Sequence, residues 1–484
     1  MGLLLGIYLV LMFFVLMYSL TQLNLARLYI KKSKEIKPPP PLLTEFPLVT
    51  VQLPLYNELY VAERLIDNIA LLDYPKDKLE IQILDDSTDD TKEIVARKVA
   101  EYAAKGLNIK QVLRPNRVGY KAGALEYGMN IAKGEFIAIF DADFLPEPDF
   151  LKNTLAEFTH ERVGMVQTKW QHINEDYSLL TRLQAFGLDA HFTIEQAGRN
   201  SQGYFINFNG TAGVWRKQTI IDAGGWQHDT LTEDLDLSYR AQLKGWEFKY
   251  MEQLGTPSEL PVTIDALKSQ QFRWTKGAAE CLRKNLWSVL KDKSVPFATK
   301  FHAVFHLMNS FIFISILFTA LLSLPLLLLR NQVSGYEWFY HLSFFGQYVV
   351  VFIGAFYFIS LRKKVPETGK RVLYFLKTFP PFLAVSMGLS LHNTIAVIEG
   401  YIGKKTPFIR TPKFNITSNK DKWIGNIYIS NKISWLTILE GVMALYFIVG
   451  LLISINLNDT GLIAFYCLLI FGFGYIFTQA FKRQ

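Results

Sequence analysis

Five long stretches of this chain carry almost no charge, and their placement limits what the remainder can fold into. Residues 3–22, 303–329, 342–361, 435–455 and 461–480 each approach or exceed the ~18–20 apolar residues that cross the hydrocarbon core of a bilayer. Between the first and second lies a stretch, 48–300, with the mixed patterning of a soluble domain. The run 3–22 has no basic segment before it and no small-residue cleavage pattern after it. It is followed by Arg27, Lys31, Lys32, Lys34 and Lys37, so it reads as a membrane anchor with its C-terminal end in the cytosol rather than a signal peptide. The net charge of +8 comes from basic clusters beside the apolar runs, where the positive-inside rule puts them, and so argues against a nucleic-acid partner. Cys281 and Cys467 are the only cysteines, too few for a disulfide framework or a cysteine-rich metal site.

Charge also predicts the topology. The loop 330–341 has few charges and is placed outside, whereas Arg362-Lys363-Lys364 to Lys370-Arg371 belongs inside. The segment 378–398 is apolar enough to span but has basic flanks on both sides, so it is expected to be interfacial or re-entrant. Two final spans return Lys482-Arg483 to the cytosol, giving five spans in all. The expected domains are an anchor at 1–25, a basic linker at 26–46 stiffened by Pro38 to Pro41, a catalytic-type domain at 47–260, interfacial helices at 261–300, and a membrane region at 301–484 with a cytosolic loop at 404–432.

The soluble stretch alternates strands and helices. Strands are predicted at Leu48–Leu53, Glu80–Leu84, Ile109–Leu113 and Glu135–Phe140, and helices at Leu59–Leu72, Lys92–Lys105 and Ala122–Ala132. That order predicts an α/β Rossmann-type sheet, largely parallel, with ligands beyond the carboxyl ends of its strands. A helix is also expected over Leu179–Gly198, and Val262–Leu290 reads as an amphipathic interfacial helix.

Acidic pairs stand at two of the strand ends. Asp141 and Asp143, two residues apart, can share a hard divalent cation with phosphate oxygens, although a solvated turn has the same residues. Asp85 and Asp86 suit a nucleoside's hydroxyls or base, or simply cap the next helix. Lys121 can meet a phosphate near a helix N-terminus, and Asp234 can take a proton from a hydroxyl or else sit in a helix's first turn. In Gln270-Gln271-Phe272-Arg273-Trp274, a guanidinium that grips phosphate stands beside an indole that stacks on a sugar. His302 and His306 share a helical face without a third ligand and read as packing residues. Glu440, an acid near the start of a span, hints at a pathway. The glycosylation sequons at Asn209 and Asn415 fall in segments placed in the cytosol.

Taken in order, Asp85-Asp86, Asp141-x-Asp143, Thr232-Glu233-Asp234 and Gln270-x-x-Arg273-Trp274 resemble the inverting family 2 glycosyltransferases, and among them the processive cellulose synthase group. The stretches VQLPLYNE, LDDSTDDT, NRVGYKAGAL, FDADFLPEPDFL, FNGTAGVWR, LTEDLDLSYRA and QQFRW are most similar to cellulose-synthase-like mannan and glucan synthases. The resemblance implies a cytosolic GT-A-like domain on an α-helical transmembrane region, in a plasma, inner or Golgi membrane. It implies a nucleotide-sugar donor, UDP-glucose or GDP-mannose, Mg²⁺ or Mn²⁺, and a growing β-1,4-linked polysaccharide as acceptor and exported product. By that resemblance Asp85, Asp86, Lys121, Asp141, Gln270 and Arg273 hold the donor, and Asp141 and Asp143 the metal. Asp234 is the base, Trp274 stacks on the acceptor, and Phe414 and Thr417 belong to a gating loop. The chain ends soon after its last span, so no cyclic-dinucleotide-binding domain is expected. The alternatives are a single transfer to a lipid acceptor of ceramide or polyprenyl-phosphate type, and a non-catalytic export subunit.

Overall fold

The structure is a computed structural model that describes residues 2–35, 43, 45–329, 344–418, 420–423, 425–428 and 433–482. The proline spacer 38–41, the loop 330–341 and Arg483 fall outside the described residues. A seven-stranded sheet forms the soluble part, built from β1 (Val49–Leu55), β2 (Leu79–Asp85), β3 (Ile109–Val112), β4 (Phe136–Ile139), β5 (Val163–His172), β6 (Gly213–Arg216) and β7 (Glu247–Ser258). Its order is β3-β2-β1-β4-β6-β5-β7. β1 to β4 run parallel, while β6 is antiparallel to both of its neighbours, so the sheet is mixed. β1, β2 and β4 are buried almost throughout because helices cover both faces. Two pairs of their polar side chains bond across the strands. Thr50 Oγ1 donates to Glu80 at 2.7 Å, and the Gln52 amide donates to Gln82 at 3.1 Å, which pins the register of β1 against β2.

Around the sheet run α2 (Ala62–Ile69), α3 (Thr91–Ala104), α4 (Tyr120–Ile131), α5 (Phe150–Leu155), α6 (Leu179–Ala190), α7 (Ala197–Asn200), α8 (Lys217–Asp222) and α9 (Glu233–Leu243). The strands and first helices fall where alternation predicts them. The helix expected over Leu179–Gly198 contains a π-helical stretch, His191–Gln196, between α6 and α7. The chain's direction across the sheet reverses between β1 and β4, which opens a crevice beyond their carboxyl ends. That crevice receives Tyr56 and Glu58 from beyond one strand and Asp141 to Asp143 from beyond the other.

α10 (Ile264–Lys291) starts at Thr263, whose hydroxyl accepts from the Ala266 N–H, and carries the Gln270–Trp274 motif. The apolar half comprises α1 (Gly2–Ser33), α11 (Phe297–Leu307), α12 (Phe311–Leu329), α13 (Phe344–Ser360), α14 (Thr368–Gly388), α15 (Ser390–Ile402), α16 (Trp435–Asn456) and α17 (Ile463–Gln479). Among the described residues four helices are long and apolar enough to cross a membrane, or five if the bent pair α14–α15 counts as one span. α13 is 17 residues long, at the short limit for a span. The run 303–329 is split between α11 and α12. The segment 378–398 belongs to two helices bent by 49°, the first of which begins ten residues earlier than the hydropathy suggests and contains Pro380 and Pro381. α14 and α17 touch backbone to backbone at Gly388 and Gly472, where an added Cβ would lie 2.5 Å and 1.9 Å from the facing chain. A buried ion pair, Lys268 Nζ to Glu440 Oε2 at 2.6 Å, ties α10 to α16.

Candidate active site

The crevice holds a cavity of about 190 Å³. Four elements separated in sequence supply its chemistry. The end of β4 brings Asp141 and Asp143, the N-terminus of α4 brings Lys121, the first turn of α9 brings Glu233 and Asp234, and α10 brings Gln270, Arg273 and Trp274. Lys121 Nζ lies 2.5 Å from Asp141 Oδ1 and donates to the Gly210 carbonyl at 3.0 Å. Thr211 Oγ1 accepts from the Asp141 N–H at 2.9 Å, which fixes the carboxylate's approach. Gly210, at a φ of 81°, must be glycine: a Cβ there would stand 3.1 Å from Asp234 Oδ2 and 3.4 Å from Lys121 Nζ.

Burial and the adjacent Glu233 raise the Asp234 carboxyl from its usual value to about 7, while Lys121 pulls it back down. A carboxyl poised there exchanges a proton readily near neutral pH, as a general base must. Burial lowers Arg273 only to about 10, so its guanidinium stays charged. It donates to the Ile409 carbonyl at 2.8 Å and to Thr411 Oγ1 at 2.9 Å.

Asp85 and Asp86 part company. Asp85 is buried with its two oxygens accepting from the Ser87 N–H at 2.9 Å and from Gln111 at 2.8 Å, and it does not line the cavity. Asp86 does line it, gripped bidentately by Arg114 at 2.7 and 2.5 Å. Phe414 and Thr417 also lie off the cavity lining. Phe414 packs with Val262, Ala266 and Ile416, and Thr417 donates to Asp421.

The segment 404–418 nevertheless lies across the crevice through residues that the sequence reading used only for topology. Lys413 Nζ sits 2.7 Å from Asp143 Oδ2, and Arg410 donates to Glu58 at 2.7 Å. The Phe414 N–H donates to Glu259 at 2.8 Å. Burial raises the Glu58 carboxyl to about 8, with Asp143 adding to the shift, against the pull of Arg410 and Lys413. Glu58, Arg410 and Lys413 thus line the crevice although motif reading gave them no role, and Glu233 joins them from within the Thr232-Glu233-Asp234 motif. Glu58 closes the VQLPLYNE stretch three residues after β1, and Arg410 and Lys413 stand in the basic run 404–413.

The residues fit a hard divalent cation. Among the described residues no three His, Cys, Asp or Glu groups form a ready-made cage. Asp141 and Asp143 instead offer carboxylate oxygens on an open crevice, the pattern for an ion completed by phosphate and water. The Lys413 ammonium sits against the Asp143 carboxylate, where such a cation would bind.

A second cavity, about 1090 Å³, begins at Gln270, Trp274 and Leu188, which line the first as well. Its walls are mostly aliphatic and aromatic side chains of α1, α12, α13, α14 and α17, and it reaches Asp459 and Gly461, between α16 and α17. Trp274 therefore lines both the polar crevice and the largely apolar cavity among these helices.

The sequence profile described as Glycosyltransferase like family 2 matches residues 47–277. A probable glucomannan 4-beta-mannosyltransferase 2 of Oryza sativa subsp. japonica is 45% identical over 285 residues, which are 58% of this chain and 48% of that protein. Glucomannan 4-beta-mannosyltransferase 2 of Arabidopsis thaliana is 45% identical over 267 residues, 54% of this chain and 50% of that one. The chain spans about half the length of the curated relatives it matches. A mannosyltransferase from Pyrobaculum calidifontis, solved in complex with GDP-Man and Mn²⁺, shares the fold with a TM-score of 0.57 at 20% identity, over 83% of this chain and 100% of that one.

Proposed function

We propose, for a chain whose residues 47–277 belong to glycosyltransferase family 2, that it transfers mannose from a nucleotide sugar to a growing β-1,4-linked polysaccharide with inversion, and passes the product through the membrane helices. The observation that carries this reading is the convergence of Lys121, Asp141, Asp234 and Arg273 on one crevice whose inner end, at Trp274, opens into the membrane-level cavity. The relatives' names favour mannose.

In this reading Lys121 and Arg273 bind the donor's diphosphate, and Asp86 meets the nucleoside. Asp141 and Asp143 would hold Mg²⁺ or Mn²⁺, which supplies charge neutralisation of the leaving diphosphate. Trp274 stacks on the terminal acceptor sugar and presents its hydroxyl to the crevice. Asp234 takes that hydroxyl's proton. The oxygen forms a bond to the donor's anomeric carbon from the face opposite the diphosphate, whose bond to carbon breaks. Two cationic side chains already in place stabilise the negative charge that develops there without reorganising.

Lys413, Arg410 and Glu58 hold the segment 404–418 over the crevice, and donor entry requires that segment to move. The soluble domain lies on the cytosolic side, by the charge of its flanking loops. An Asp234→Asn protein is expected to bind donor normally, by calorimetry with a non-transferring analogue, and to make no polymer. Normal polymer yield from that variant overturns the assignment. A transfer to a lipid acceptor is the second reading, favoured by the apolar walls of the larger cavity. It predicts a single-sugar lipid product.

A further inference from the structure

Three cations, Arg114, Arg117 and Lys121, lead into α4, and the first and last of them have acceptors. Arg114 grips Asp86 and also donates to the Val118 and Tyr120 carbonyls at 2.6 and 2.7 Å. Those two bonds brace a turn in which successive residues, Gly119 and Tyr120, are left-handed, with φ of 73° and 50°. Lys121 is held by Asp141 and Gly210. Arg117 stands apart. Its guanidinium has no hydrogen bond or ion pair among the described residues, and its Nε is buried without a partner. Only aromatic rings hold it. Its central carbon lies over the Tyr56 ring, 3.2 Å from the centroid, and 5.0 Å from that of Tyr120. Such stacking fixes the position of a guanidinium and leaves its N–H edge free to bind something else. Arg117 lines the crevice together with Tyr56 and Asp86.

The chemistry of that edge narrows what it can take. A guanidinium offers parallel N–H donors and no acceptor, so it pairs best with two acceptors side by side. The diphosphate has Lys121 and Arg273 in the reading above, whereas Arg117 feels the charge of Asp86, the residue placed at the nucleoside. Among the bases, guanine alone presents adjacent acceptors, O6 and N7. Adenine sets an amino donor beside its N7, cytosine presents an amino donor, and uracil shows one carbonyl beside a C–H. A stacked arginine with its edge unpaired thus selects guanine and rejects the others.

We propose that Arg117 reads the base of the donor, donating paired hydrogen bonds to O6 and N7 of a guanine, so that the sugar arrives as a guanosine diphosphate ester. This rests on the donor site proposed above and adds the residue that chooses its nucleoside.

The test is calorimetry on the full-length protein with Mn²⁺, using GDP, 7-deaza-GDP and UDP as probes. 7-Deaza-GDP keeps O6, the sugar and the phosphates but replaces N7 by a C–H. The wild type is expected to bind GDP about tenfold more tightly than 7-deaza-GDP, the difference of one charge-assisted hydrogen bond, and to bind UDP more weakly still. Arg117→Met keeps an apolar chain against Tyr56 and removes the donors. In that variant GDP and 7-deaza-GDP are expected to bind equally. A wild type that does not distinguish GDP from 7-deaza-GDP overturns the proposal, as does a tenfold preference that persists in Arg117→Met. Equal weakening of all three probes in the variant also overturns it, because the arginine then serves the phosphates. Tighter binding of UDP than of GDP by the wild type overturns the guanine reading while leaving glycosyl transfer intact. If no nucleotide binds the wild type, the donor site and the proposal fall together.

Discussion

Replacing Lys121 by Met probes the electrostatics of the crevice directly. Lys121 Nζ and Asp234 Oδ2 lie 3.4 and 3.1 Å from the same point above Gly210. They are therefore no more than about 6.5 Å apart, and at an effective dielectric of ~20 their attraction is ~2.6 kcal/mol, or about two pH units of the carboxyl's titration. The lysine favours the ionised carboxylate, so removing it raises the Asp234 carboxyl above its present value of about 7. A base works only when deprotonated. Hence the ascending limb of kcat/KM against pH, which reports the free enzyme, is expected to move upward by about one to two pH units. The variant also binds donor less well, so the position of the limb is the readout rather than the rate. Glu233→Gln removes a neighbour that raises Asp234, and its limb is expected to move downward. A limb that stays in place in Lys121→Met, or moves down, refutes the assignment of Asp234 as the titrating base.

Two further outcomes follow from contacts at the same site. Lys413→Ala frees Asp143, so Mn²⁺ binding in the absence of donor, read by electron paramagnetic resonance, is expected to tighten about tenfold, or ~1.4 kcal/mol; unchanged affinity refutes the competition between ammonium and metal. Gly210→Ala forces a left-handed residue to carry a Cβ against Asp234, costing about 1–2 kcal/mol, and kcat is expected to fall about 10- to 100-fold with donor binding retained. Wild-type turnover in that variant would show that the Gly210–Asp234 approach has no catalytic consequence.

Local patterning made the sheet legible, because strands that alternate with short helices leave a period in the sequence and end in recognisable turns. The strand-end placement of Asp141 and Asp143 followed from that pattern. The orientation of neighbouring acids did not. Asp85 and Asp86 read alike, yet Ser87 and Gln111 occupy the first while Arg114 aims the second at the crevice. Convergence over long separations was also invisible. Lys413 reaches Asp143, and Arg410 reaches Glu58, across most of the chain. In sequence these cations differ in no way from others in a basic loop. Hydropathy located the apolar helices but not their breaks, which arise where Asn309-Ser310 and Gly388-Leu389 interrupt otherwise continuous runs.

The most direct test of the central claim is a product analysis with purified full-length protein, radiolabelled GDP-mannose and Mn²⁺. The product would be sized and then digested with β-1,4-mannanase. The account predicts a water-insoluble or high-mass polymer that the mannanase degrades and that the Asp234→Asn protein does not form. A labelled product that partitions into organic solvent with one sugar per lipid, and resists the mannanase, would contradict it.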